Sequence, residues 1–171
     1  MGELTVSAVA LDFGGTLSSS PGASPHGRDV VAALECLDWP CPTGLDDAVD
    51  SLRTNAQSAY RRGVHTPWES ILAAAWLQVD AVLPDMAVVA EVLWRMVPDA
   101  VIDPRSAQAV RELRRSGRRL VLACNTQRPI AHRRRTLAAA ELADCFDALV
   151  LSSEIGTCVP QLSVDIVGVA V

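Results

Sequence analysis

Apolar residues keep more than one rhythm along this chain. From Thr5 to Leu11 (TVSAVAL) they run with little interruption, and a carboxylate, Asp12, follows at once with a Gly14-Gly15-Thr16 turn behind it. A short apolar run closed by a polar residue and glycines predicts a buried strand that ends in a turn. From about Gly27 to Pro98 the spacing changes to three and four. RDVVAALECLD and LDDAVDSLRTNAQSAYRR each put their apolar side chains on one helical face. A third helix is expected through WESILAAAWLQV, with Thr66 as N-cap, Pro67 at the first position and Glu69 closing a capping box. A fourth, DMAVVAEVLWRMV, begins after Pro84 and stops at Pro98.

Beyond Pro98 helices and strands alternate. Asp103-Pro104 opens the helix RSAQAVRELRRSG and Gly117 closes it. RRLVLAC is a continuous apolar run of the kind found in a sheet covered on both faces. PIAHRRRTLAAAEL reads as a helix, with Arg133 to Arg135 on its solvated side, and DALVLSS as a further strand. This order predicts an α/β fold: a parallel core of residues 1–20 and 104–171, split by a helical cap of residues 21–103, with SSSPGASP as the linker. In such sheets the ligand lies beyond the carboxyl ends of the strands. Asp12, Cys124-Asn125-Thr126 and Ser152-Ser153-Glu154 are therefore expected to converge on one cleft beneath the cap.

Composition narrows the function classes. The 171 residues are 50% hydrophobic with a formal net charge of −5, and the pI of about 5.1 gives no reason to expect a nucleic-acid partner. Mean hydropathy is +0.23, yet no apolar run reaches the roughly 18 to 20 residues of a membrane span. No basic stretch opens the sequence, so no secretory leader is expected. The five cysteines form no CxxC pair and are odd in number, which fits free thiols in a reducing cytoplasm. Four tryptophans read as scattered core anchors. All 15 basic residues are arginines. Any chemistry that needs a lysine ammonium from these residues is excluded, and arginine, with its planar fork, is not a free substitute.

The motifs ALDFGGTL, LVLACNTQRPIAHRRRTLAAAELADCFDALVLSSEIG and SSEIGTCVPQ, in that order, resemble the three leading motifs of the haloacid dehalogenase superfamily, hydrolases with an aspartate nucleophile on a Rossmann-like core with a helical cap. The resemblance covers roughly Val6 to Pro160. It implies that Asp12 is the nucleophile, that Gly14 stands where a general acid/base aspartate is usual, and that Cys124 stands where a Ser or Thr holds the anionic group of the substrate. Asn125 keeps the family identity. Gly14, Gly15 and Thr16 are candidates for an anion-binding turn, and Arg128 is the nearest candidate cation. Val159 stands where the family has its lysine. The resemblance further implies an acidic pair on a later strand, completing a Mg²⁺ site. In QLSVDIVGVAV the single acid is Asp165, so neither that pair nor a bound metal or other cofactor is expected.

A positioned proton donor contributes roughly 10² to 10⁴-fold to catalysis, and glycine has nothing to donate. Without a cation, an aspartate repels an anionic substrate by about 1 kcal/mol at 4 Å in water and more in a low-dielectric cleft. The leading expectation is a member of this superfamily whose hydrolytic machinery is dismantled and which acts through a small-molecule ligand or through assembly. A recruited enzyme using Asp12 for different chemistry, and residual dehalogenase-like hydrolysis, are the alternatives. The β-branched tail LSVDIVGVAV reads as an edge strand that a homodimer or a partner protein would cover.

Overall fold

A computed structural model of the chain describes residues 6–20 and 22–158. Val159, Asp165 and the apolar tail lie outside these residues. In chain order the elements are β1 (Ala8–Leu11), α1 (Gly27–Cys36), α2 (Leu45–Tyr60), α3 (Trp68–Gln78) and α4 (Met86–Met96). Then follow α5 (Pro104–Arg115), β2 (Arg119–Cys124), α6 (Ile130–Ala139), β3 (Ala148–Leu151) and the single turn α7 (Ser152–Ile155). They sort into two units. One comprises Asp99–Ile155 with the residues through Gly22, the other Ala23–Pro98 with Gly156–Cys158.

The first unit is a parallel α/β fold. Its three strands lie in the order β1-β2-β3, with β2 between the other two. The register pairs Leu11 with Leu122 and Cys124 with Leu151, so the residues that follow the three strands leave from one end of the sheet. Leu120, Leu122 and Leu151 are fully buried against Phe13, Val110 and Leu137. The continuous apolar character of β2 thus has its cause in burial on both faces. Asp103 caps α5 through its carboxylate, which accepts from the Arg105 and Ser106 amides, and Pro104 fills the first position.

The boundary between the units falls before Asp99, not after Asp103 as the helix-opening signal implied. Ala100 and Ile102 pack into the sheet core, and the Asp103 amide donates to the Leu17 carbonyl at 2.8 Å. Strand β3 also ends early. Ser152, read as strand, opens α7, because its hydroxyl is drawn into the adjoining loop described below.

The second unit is a bundle of α1 to α4 around a core that includes Trp68, Leu72, Trp76 and Trp94. All four tryptophans belong to this unit, so they are concentrated, not scattered. Trp68 and Trp94 meet edge to face at 6.1 Å between ring centroids, an arrangement worth roughly 0.5–1.5 kcal/mol beyond area burial. Truncating either would cost about 3–5 kcal/mol. Helices α1 and α2 meet at Gly27: a Cβ there would stand 2.1 Å from the Asp46 carbonyl oxygen, so only glycine permits this approach. Helix α3 begins at Trp68 with Pro67 as N-cap and no side-chain cap bond. The N-cap position thus falls at Pro67, one residue beyond the expected Thr66, because Pro67 stays extended (ψ 150°).

Candidate functional site

The site is built where the strands end. Asp12 follows β1 and is exposed, and its Oδ1 accepts from the Phe13 amide at 2.7 Å. The chain then folds back tightly, with Gly15 at φ 78°. The Phe13 carbonyl accepts from the Thr16, Leu17 and Ser18 amides at 3.3, 2.9 and 3.1 Å, and Gly15 N–H donates to Ser18 O at 2.7 Å. The Gly15 and Thr16 amides are therefore used inside the turn, leaving the Gly14 amide without a partner among the described residues. The turn is also pinned from α5, where the Ser106 hydroxyl donates to Thr16 O at 3.0 Å.

Cys124 closes β2 and is buried. Burial pushes its thiol up to about 11; the positive charge of Arg133 opposes this, while Asp12 and Asp99 add to it. At neutral pH the group is a neutral, weakly donating thiol and no nucleophile. Asn125, half-buried, follows it. The loop after β2 is held from the end of β3. Ser152 Oγ accepts from Thr126 N at 2.8 Å and donates to Thr126 O at 2.9 Å. Ser153 Oγ donates to Arg128 O at 2.9 Å, and Glu154 Oε1 accepts from Ile130 N at 3.2 Å at the start of α6. The Ser-Ser-Glu segment thus works as a clamp on this loop.

Arg128 does not reach toward the Asp12 turn as a free cation. It is buried, and its Nε lies 3.2 Å from Asp99 Oδ1. Arg133, read from sequence as solvated, is 2% exposed and pairs with the same carboxylate, its Nη1 at 3.1 Å from Oδ2. Asp99 also accepts from the Ala100 amide at 2.8 Å and from the Thr136 hydroxyl. The Arg133 guanidinium carbon stands 3.5 Å over the centre of the Phe13 ring, a cation–π contact that ties α6 to the residue after Asp12. Two buried guanidinium groups thus share one carboxylate. Burial draws the Arg128 pKa down; Asp99 opposes this, and Arg133 adds to it.

Asp99, Arg133 and Thr136 were not among the sequence candidates. One signal was available: Arg133 falls three residues after Ile130 and four before Leu137, a position on the inward stripe of the helix. Asp12, Asn125 and Ser152 stand at strand ends as the alternation implied, and Cys124 joins them as a buried neighbour.

The Asp12 turn supplies one carboxylate, and Gly14 none. Among the described residues no three His, Cys, Asp or Glu side chains group as metal ligands. Mg²⁺ needs near-octahedral oxygen ligation, toward which the described residues of this turn supply the one Asp12 carboxylate.

No family model matches this sequence, and no curated protein matches it. Solved structures do. The L-2-haloacid dehalogenase of Xanthobacter autotrophicus with covalently bound chloropropionic acid matches at 17% identity and a TM-score of 0.43, over 92% of this chain and 61% of that one. The HAD-hydrolase YfnB of Bacillus subtilis, bound to magnesium, matches at 15% identity and a TM-score of 0.48, over 93% of this chain and 77% of that one. The chain therefore spans less than two thirds of the length of the dehalogenase that it matches. Solved structures to which the chain is similar thus include a haloacid dehalogenase and a HAD-hydrolase.

Proposed function

We propose that this chain belongs to the haloacid dehalogenase superfamily and carries a strand-end site that no longer hydrolyses, acting by holding a small molecule or by assembling with another chain. The observation that carries this reading is the commitment of Arg128 and Arg133 to Asp99. With both cations engaged and buried, neither is poised to hold an anionic substrate against Asp12. Gly14 and the neutral Cys124 point the same way, since one has no proton to give and the other is a poor donor. The three motifs in register support the family. The free state of all five thiols supports a reducing, cytoplasmic setting.

Halide release from L-2-chloropropionate and phosphate release from p-nitrophenyl phosphate, each with and without Mg²⁺, test the reading. Both should stay at background. Turnover above about 1 s⁻¹ that is lost in Asp12→Asn would refute it. Assembly through residues 162–171 has its own test: deletion from Ser163 onward should convert a dimer to a monomer or lower solubility, and an unchanged monomer by light scattering would dismiss it.

A second reading, recruitment to other chemistry, is favoured by one feature. Asp12 is exposed, and its Oδ1 accepts from a single backbone amide, that of Phe13. A carboxylate tuned for reaction at the expense of stability predicts a higher melting temperature in Asp12→Asn, whereas a turn cap predicts a loss of about 1–2 kcal/mol.

A further inference from the structure

The helical unit carries a cavity of about 440 Å³ that the strand-end site does not use, within the roughly 300–1,000 Å³ of small-molecule pockets. It opens where α1 and α3 end. Trp39, Pro40 and Cys41 come from the segment after α1, and Trp76, Val82 and Pro84 from the end of α3 and beyond. No charged side chain lines it.

Both helices leave by the same turn. After α1, Asp38 N–H donates to Glu35 O and Trp39 N–H reaches back to Leu34 O. After α3, Asp80 N–H donates to Leu77 O and Ala81 N–H reaches back to Trp76 O. These are Schellman turns, whose left-handed residue is usually glycine. Here it is an aspartate each time, at φ 53° for Asp38 and 50° for Asp80. The partial negative ends of two helix dipoles are thus brought to the cavity. Neither helix has a basic residue in its last turn, and each has instead an exposed carboxylate just beyond it. Both choices oppose local stability, one through the backbone and the other through the dipole. Further carboxylates act on the wall: the Cys41 thiol is pushed up first by burial, then by Asp46 and Glu35.

Indole faces attract cations, tryptophan most strongly of the aromatic residues. An apolar wall with the part-exposed indole of Trp39, backed by the buried Trp76 and without a lining base, complements a positive charge carried on an apolar body. We propose that this cavity binds an organic cation of the arylalkyl-ammonium class, with the apolar body against Trp39 and the prolines and the ammonium toward the two helix ends.

Titration of the full chain with benzyltrimethylammonium and with benzyl alcohol, followed by amide and indole resonances, tests the proposal. The cation should shift residues 38–42 and 80–84 and bind at least about fivefold more tightly than the alcohol. Asp38→Asn with Asp80→Asn should erase most of that preference, and asparagine tolerates the left-handed conformation, so the turns are kept. Trp39→Leu should weaken the cation more than the alcohol. Equal affinity for the two probes, no cation binding at millimolar concentration, or a preference untouched by these variants would overturn it.

Discussion

Asp99 is the residue on which the core of the α/β unit depends. Its side chain is 13% exposed and faces two guanidinium groups that are nearly sealed from water. Removing one partner of a buried ion pair leaves an uncompensated charge, which costs about 3–5 kcal/mol, against about 0–1 kcal/mol for an exposed pair. Asp99→Asn keeps the shape and some hydrogen bonds but strips the charge. It should lose about 3–5 kcal/mol in urea denaturation, while Arg95→Gln, which breaks the exposed pair with Glu91, should lose less than about 1 kcal/mol. A similar small loss for both would mean that the arginines find other compensation. The sequence did not reveal this cluster, because its members are 34 residues apart in the Arg133–Asp99 pair and charged residues default to the surface. The position of Arg133 on the inward stripe of α6 outweighs its charge once a carboxylate waits there.

At the scale of elements, helices and strands were legible where one signal had no rival. The apolar run of β2, the three-four spacing of α1 and α2, and the Asp103-Pro104 start of α5 each express burial or capping directly. By contrast β1, expected as a buried strand, is half-buried along its length, and β3 is buried only at Leu151. The reading failed where two local solutions compete. Thr66 reads as the N-cap of α3, but Pro67 keeps the extended backbone and the cap position itself. Ser152 could have continued β3, but its hydroxyl bonds the Thr126 backbone in both directions. Helix ends carry a further prediction. Glu141 follows α6 at φ 58°, with its own N–H on Ala138 O and Leu142 N–H on Leu137 O. A left-handed residue with a Cβ costs about 1–2 kcal/mol, of which glycine's unfolded-state entropy takes back about 0.4–1. Glu141→Gly should therefore raise stability by about 0.5–1 kcal/mol, read as a higher urea midpoint at unchanged slope. A decrease would show that the glutamate side chain contributes more than its backbone costs.

For the molecule as a whole, the two units offer separate handles. All four tryptophans lie in the helical unit, so intrinsic fluorescence follows that unit alone. His65 is buried there, with Nε2 unpartnered among the described residues. Burial lowers its pKa, with Glu69 opposing. The folded value lies below the ordinary value of about 6.5, so between the two the unfolded chain binds more protons and stability rises with pH. His65 thus contributes its stability above about pH 6.5 and loses it as pH falls through the depressed folded value. The fluorescence-detected urea midpoint should fall from pH 7 to pH 5, and His65→Leu should flatten that fall; an unchanged slope would point to other groups. The strand-end chemistry calls for a different probe. If Asp12 attacks carbon, hydrolysis of the resulting ester leaves one solvent oxygen in its carboxylate. The direct measurement is therefore incubation with L-2-chloropropionate in H₂¹⁸O, followed by mass analysis of the peptide containing Asp12. No isotope should enter that peptide. Incorporation of one ¹⁸O into Asp12, absent when the substrate is omitted, would show that the nucleophile still reacts and would contradict a site that has lost hydrolysis.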